Sequence, residues 1–187
     1  QTCALPISIG RDACREMIGK GLAVFAYKAL PENAKHLQQQ LISEMKKRYL
    51  TTCFEETTIY PGVLDFVDQC RQKGLKLAVI SNKEHTLTHK IVQHYFGPVR
   101  FECILGQKEG LKIKPDPAPV YWVMNELRID NPKDVLYIGD SDVDAQTALN
   151  AGVDFVGVSW GFRSVEQLKA AGAQIILHQA AEILEIL

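Results

Sequence analysis

After Tyr60-Pro61-Gly62 the chain alternates short apolar runs with amphipathic stretches all the way to its end, and few architectures accommodate that pattern. The patterning predicts helices over Val63 to Lys73, Glu84 to Tyr95, Ala118 to Leu127, Ala145 to Ala151 and Val165 to Ala171, with a short helix last. It predicts strands over Leu75 to Ile80, Phe101 to Leu105, Val135 to Ile138, Phe155 to Val158 and Gln174 to Leu177. Strands separated by helices pair in parallel, because the crossover returns the chain to the same edge. The expected class is therefore α/β, a Rossmann-like parallel sheet covered on both faces.

Upstream of Pro61 nothing reads as a strong buried strand. Arg11 to Leu30 carries Met17, Ile18, Leu22, Phe25 and Ala26 near helical spacing, and Pro31-Glu32-Asn33 ends it. Lys35 to Leu50 predicts a second helix with Leu37, Leu41, Ile42, Met45 and Tyr49 as its buried stripe. Residues 8–57 thus read as a small helical unit and 58–187 as the α/β core. Gln1 to Ile7 fits neither a helix nor a signal peptide. It back-translates, with permitted codons, to a common sequencing-library adapter, so residues 1–7 are expected to be a non-native, adapter-derived segment. The competing account is a genuine short disordered terminus.

Composition narrows the function classes. In 187 residues, 47% are hydrophobic and 23% charged, with a formal net charge of -1. That balance argues against a nucleic-acid footprint, and no apolar run reaches the length of a membrane span. The five cysteines lie apart with no C-x-x-C pair, which suits free buried thiols in a reducing cytoplasm. A cytoplasmic location is expected.

Three strand ends carry polar residues. Gly139-Asp140-Ser141-Asp142-Val143-Asp144 follows the run Val135 to Ile138, placing carboxylates beyond the carboxyl end of a strand, where open α/β sheets bind ligands. Clustered carboxylates repel unless a cation or donors compensate, and Mg²⁺ suits a site of few carboxylates plus a phosphate. The alternative is a plain turn with Asp142 capping the next helix. A calcium loop is excluded by Ala145 and Ala151 at its sixth and twelfth positions. Ser81-Asn82-Lys83 follows Leu77 to Ile80 and would make an anion site, or Ser81 and Glu84 a capping box. Lys114, on the stiff Lys114-Pro115-Asp116-Pro117 turn, would balance phosphate charge or simply be solvated, with Asp116 suited to a helix N-cap. His85 and His89 lie one helical turn apart, but without a third ligand nearby they read as surface residues. Trp160 and Phe162 read as packing or loop anchors.

These motifs in this order resemble the haloacid dehalogenase-like hydrolases, and specifically the phosphoglycolate phosphatase-like group. Ser81 in V-I-S-N-K is similar to the second family motif, Lys114 in K-P-D-P to the third, and G-D-S-D-V-D to the fourth. Val158 to Ser164 and Gly172-Ala173 also resemble this group, and the likeness runs over roughly 8–187. It implies a phosphatase that hydrolyses a small phosphorylated metabolite, such as phosphoglycolate, with Mg²⁺ and through an aspartyl-phosphate. It implies that Ser81 binds the phosphoryl group beside Asn82. It implies that Lys114 offsets charge and that Asp140 and Asp144 serve the metal. Ile9-Gly10-Arg11 resembles a cap loop reaching toward substrate, so Arg11 would pair with a substrate carboxylate. The resemblance also implies that the helical unit is a cap, and that a first strand lies at the sheet centre between those ending at Ile80 and Ile138. That strand carries D-x-D-G-T, which occurs nowhere in these 187 residues. Without that nucleophile the chain is expected to be inactive. The rival reading is a non-catalytic binding protein of the same fold, and a pyrophosphatase or phosphosugar mutase also fits.

Overall fold

The computed structural model describes residues 9–187, and the adapter-like residues 1–7 lie outside them. Helices α1 (Arg11–Met17), α2 (Leu22–Ala29) and α3 (Gln38–Thr52) form the first part of the chain, with a 3-10 turn over Glu32–Leu37. The expected single helix from Arg11 to Leu30 is broken into α1 and α2. Gly19 and Gly21 both hold positive φ, at 110° and 83°, which a continuing right-handed helix excludes. The expected start at Lys35 is likewise a 3-10 turn. The proposed stripe of α3 is only half-buried, and Tyr49 is exposed.

From Val63 onward helices and strands alternate as expected: α4 (Val63–Gln72), β1 (Ala78–Glu84), α5 (His85–Phe96), β2 (Cys103–Gln107), α6 (Ala118–Leu127), β3 (Leu136–Gly139), α7 (Asp142–Ala151), β4 (Asp154–Val158), α8 (Val165–Ala170) and β5 (Ile175–Leu177). The final helix is a 3-10 turn over Ala180–Glu185. All ladders are parallel. β1 pairs with β2, Val79 opposite Ile104, while β3, β4 and β5 form a second sheet with Tyr137 opposite Phe155 and Val156 opposite Ile175. β1 and β3 share no ladder, so the strands ending near Ile80 and Ile138 belong to separate sheets.

The core is built from the helix faces that lie against these strands. Val120 and Met124 of α6, Tyr137 of β3 and Ala148 and Ala151 of α7 form one cluster. Cys103 and Leu105 of β2 with Val123 of α6 form another, and Ile80 packs against both. Ile80 therefore joins the two sheets through side-chain packing where no hydrogen bonds join them. Among the described residues Cys14, Cys53, Cys70 and Cys103 are free thiols, and no helix is long and apolar enough to cross a membrane.

Candidate active site

The polar strand ends converge at the carboxyl ends of β1 and β3. β1 runs past Ile80 through Ser81 and Asn82, and its pairing with β2 slips between Ile80 and Glu84. The Ser81 hydroxyl accepts from the Lys83 N–H at 3.1 Å, closing the chain on itself. The capping box expected between Ser81 and Glu84 does not form. Glu84 itself caps α5, accepting from the Thr86 and Leu87 N–H groups, because a carboxylate at that position reaches the free amides of the first turn.

The Asn82 side chain is a buried three-way joint. Its amide donates to Gly19 O at 2.8 Å and to Lys114 O at 2.9 Å, and its carbonyl accepts from Lys114 N at 2.9 Å. The carboxamide is thus committed to protein partners, holding the turn after α1 and the Lys114 loop against β1. Past that loop, Asp116 accepts from Ala118 N–H at 2.9 Å, but the N-cap of α6 is Pro117 and not Asp116 as expected, because the helix begins one residue later, at Ala118.

Lys114 reaches inward. Its Nζ donates to Ile80 O at 3.1 Å and to Asp144 Oδ1 at 2.7 Å, so one ammonium ties the end of β1 to the loop after β3. Burial acts against its charge, but Tyr137 and Asp144 beside it more than offset this and hold the ammonium above its ordinary value. Burial likewise raises Asp144, yet Lys114 and the Ser141 hydroxyl hold it below the usual carboxylate range. Ser141 Oγ donates to Asp144 Oδ2 at 2.6 Å and accepts from Asp144 N at 3.2 Å. Ser141, not Asp142, caps α7, and that helix begins at Asp142. Tyr137 lies under this pair, and burial pushes its phenol up to about 12.

Asp140 is the less compensated carboxylate. Its Oδ2 accepts from Phe162 N at 2.8 Å. Burial pushes it above the usual carboxylate range and Asp144 adds to this, while the Phe162 N–H and the Lys114 ammonium oppose them without overcoming them. Gly161 makes the approach possible: a Cβ there would lie 2.0 Å from Asp140 Oδ2. Gly139 does the same for Asp144, whose Cβ would be 2.3 Å away from a side chain at 139. Buried negative charge with hard oxygen donors is what a small divalent cation relieves, so these residues fit Mg²⁺. Among the described residues no group of three or more His, Cys, Asp or Glu forms a metal cluster.

Of the expected site residues, Asn82, Lys114 and Asp144 are joined by direct bonds, and Asp140 lies within their field. Ser81 follows Ile80 on the same strand end. Arg11 begins α1, and its side chain lies outside the described residues. The sequence reading missed Ser141, Tyr137 and Gly161. For Gly161 the available signal was a glycine just past β4 in Ser159-Trp160-Gly161-Phe162. Phe162 does anchor the loop, through its N–H, while its ring stays exposed. His85 and His89 face β2 instead of lying free: His85 Nδ1 accepts from Gly106 N at 3.2 Å, and His89 Nε2 is 2.8 Å from Ile104 O.

Comparison with known proteins agrees with this layout. A family model of haloacid dehalogenase-like hydrolases matches residues 2–158. A phosphoglycolate phosphatase of Pseudomonas putida is 28% identical over 181 residues, 94% of this chain and 66% of that protein. One from Rhodobacter capsulatus is 31% identical over 160 residues, 83% of this chain and 71% of that protein. A solved structure from Lactobacillus delbrueckii subsp. bulgaricus, provisionally named a phosphoglycolate phosphatase, superposes with a TM-score of 0.89 at 30% identity, covering 96% of this chain and 83% of that one. The chain thus spans about two thirds of the length of the Pseudomonas relative. With the family model spanning most of its length and the parallel α/β architecture agreeing, the chain belongs to the haloacid dehalogenase-like hydrolase family.

Proposed function

We propose that these strand ends are the phosphate- and cation-holding part of a cytoplasmic, Mg²⁺-dependent phosphatase acting on a small phosphorylated metabolite such as phosphoglycolate. The observation that carries the reading is the Lys114–Asp144 pair beside Asp140, whose carboxyl burial holds above the usual range. A fixed ammonium and a carboxylate in need of a cation suit a phosphoryl group, whose transfer is catalysed mainly by positioned charge. Several relatives bearing the name phosphoglycolate phosphatase support the substrate class.

In this reading Asp140 would hold Mg²⁺, with Asp144 beside it adding negative charge and orienting Lys114. The cation, when bound, would offset the charge of the phosphoryl oxygens. Lys114 would hold its proton throughout, because Asp144 keeps the ammonium charged. The Ser81 hydroxyl would donate to a phosphoryl oxygen while still accepting from Lys83. Arg11 would pair with a substrate carboxylate. An aspartyl-phosphate requires the D-x-D-G-T aspartate, which the 187 residues lack, so this chain would bind without turnover.

Phosphoglycolate hydrolysis is the test. The chain alone should bind Mg²⁺ calorimetrically and release no phosphate. Extending it at the amino end with a D-x-D-G-T segment from a relative should restore release, and Asp140→Asn or Lys114→Ala should remove it again. Mg²⁺ binding by the chain with no release from the extended protein would favour the non-catalytic alternative.

A further inference from the structure

The carboxyl end of α1 is clasped to the loop after β4 by Arg163. This guanidinium is one of the most enclosed charges in the chain, at 5% exposure. Its Nε donates to Asp142 Oδ1 at 2.8 Å, Nη1 to Arg15 O at 3.2 Å and Nη2 to Ile18 O at 3.1 Å. The two carbonyls belong to the end of α1, where the helix dipole favours a cation. Arg15 returns the contact, its Nη2 donating to Gly161 O at 2.6 Å.

Three loop residues, two of them in that clasp, fix Asp140. Phe162 N donates to its Oδ2 at 2.8 Å, Arg163 N donates to its main-chain oxygen at 3.2 Å, and Gly161 leaves the space its carboxylate fills. A shift of α1 therefore moves residues 161–163, and those residues cannot move without changing what Asp140 accepts. Buried, hydrogen-bonded charges move between discrete arrangements, because an intermediate position leaves the guanidinium unpaired.

We propose that Arg163 is a positioning residue that couples the docking of α1 to the orientation of the Asp140 carboxylate, so that a cation on Asp140 and a docked α1 favour one another. The cation half of this rests on the function proposed above, while the clasp itself does not. Coupling of this kind is reciprocal, so it can be read from either end.

Hydrogen exchange on the full chain, followed by mass spectrometry, tests it, with peptides from α8 and β5 reporting that the fold is intact. Without metal, Asp140→Ala should speed exchange over residues 9–20 by about tenfold, the scale of losing a charged hydrogen bond. Arg163→Met should speed the same peptide, and adding Asp140→Ala to it should add less than about twofold. Arg163→Lys, which keeps charge but not the three-way fork, should fall between them. Unchanged exchange over 9–20 in Asp140→Ala, or effects of the two substitutions that multiply, would overturn the coupling. With Mg²⁺, slowing at 161–163 and at 9–20 together, lost in Arg163→Met, supports it, and slowing at 161–163 alone overturns it. If Mg²⁺ slows neither, the cation reading fails and the metal-free comparison decides the clasp by itself.

Discussion

Lys114 Nζ lies 2.7 Å from Asp144 Oδ1 and 3.1 Å from the Ile80 carbonyl, so a single ammonium spans the gap between two sheets that share no ladder. Both side chains of the pair are largely buried, at 12% and 8% exposure. Breaking such a pair from one side leaves a buried charge uncompensated. Lys114→Met should therefore destabilise the chain by about 3–5 kcal/mol. Adding Asp144→Asn should recover part of this loss, since the stranded charge is gone. Urea unfolding of the two single variants and the double variant checks both statements, and simple additivity would remove the pair from the account.

Asp140 behaves in the opposite sense. Its folded pKa is raised, chiefly by burial, so its contribution to stability is greatest below the unfolded value of about 3.9 and is lost as pH rises through the folded value. At pH 7 without metal the group therefore costs stability. Asp140→Asn keeps an acceptor for Phe162 N and removes the charge, so it should raise the metal-free melting temperature at pH 7. Mg²⁺ should stabilise the parent chain by about 2.7 kcal/mol at a hundredfold excess over its Kd, and the variant hardly at all. Thermal melts across Mg²⁺ concentrations read both, and equal responses in the two proteins would reject Asp140 as the cation's carboxylate.

Gly161 tolerates no side chain where it stands. A Cβ there would overlap the Asp140 carboxylate, with contacts of 2.0, 2.2 and 2.4 Å to Oδ2, Cβ and Cγ. Gly161→Ala should destabilise by about 1–3 kcal/mol, the range for overpacking a closed site. It should also abolish the Mg²⁺ response, because the carboxylate must swing away. Retention of the parental Mg²⁺ shift in melting would show that the loop yields instead.

His85 makes stability depend on pH. Its Nδ1 accepts from Gly106 N–H, which only a neutral ring can do. Burial first, then the Lys108 ammonium and His89, push its pKa down, while the Glu84 carboxylate opposes them. The folded value is therefore depressed. The associated stability is fully present above the unfolded value of about 6.5 and is lost as pH falls through the folded one. Melting temperature should drop below about pH 6.5 in the parent, and the drop should flatten in His85→Gln. Identical pH profiles for the two proteins would assign the loss to the carboxylates.

The sequence by itself determined the α/β alternation after Pro61, because period and punctuation are local properties. Ala118–Leu127 was legible to the residue, since Pro117 and the αL Arg128 bound it within the chain's own neighbourhood. It also made two polar strand ends legible, at Ser81 and Asp140, since a strand followed by glycine or a cap residue delivers its next side chains to the sheet's ligand-facing edge, whereas Lys114 lies not at a strand end but on the loop between β2 and α6. The break at Gly19 and Gly21 was equally local, two glycines within three residues, but the apolar spacing on either side masked it.

Only the tertiary structure decided how the charges are compensated. The partners lie far apart in sequence: Lys114 with Ile80 and Asp144, Asn82 with Gly19, Arg163 with Arg15 and Ile18. Capping assignments also moved to neighbouring residues, to Glu84 and Ser141, because several adjacent side chains can satisfy the same amides and packing selects one. Asp140 and Asp144 look alike in G-D-S-D-V-D. The fold bonds one of them directly to an ammonium and a hydroxyl, while the other accepts from the Phe162 N–H and feels Lys114 only across space, and a charge's partners across space, which no local pattern encodes, set its protonation.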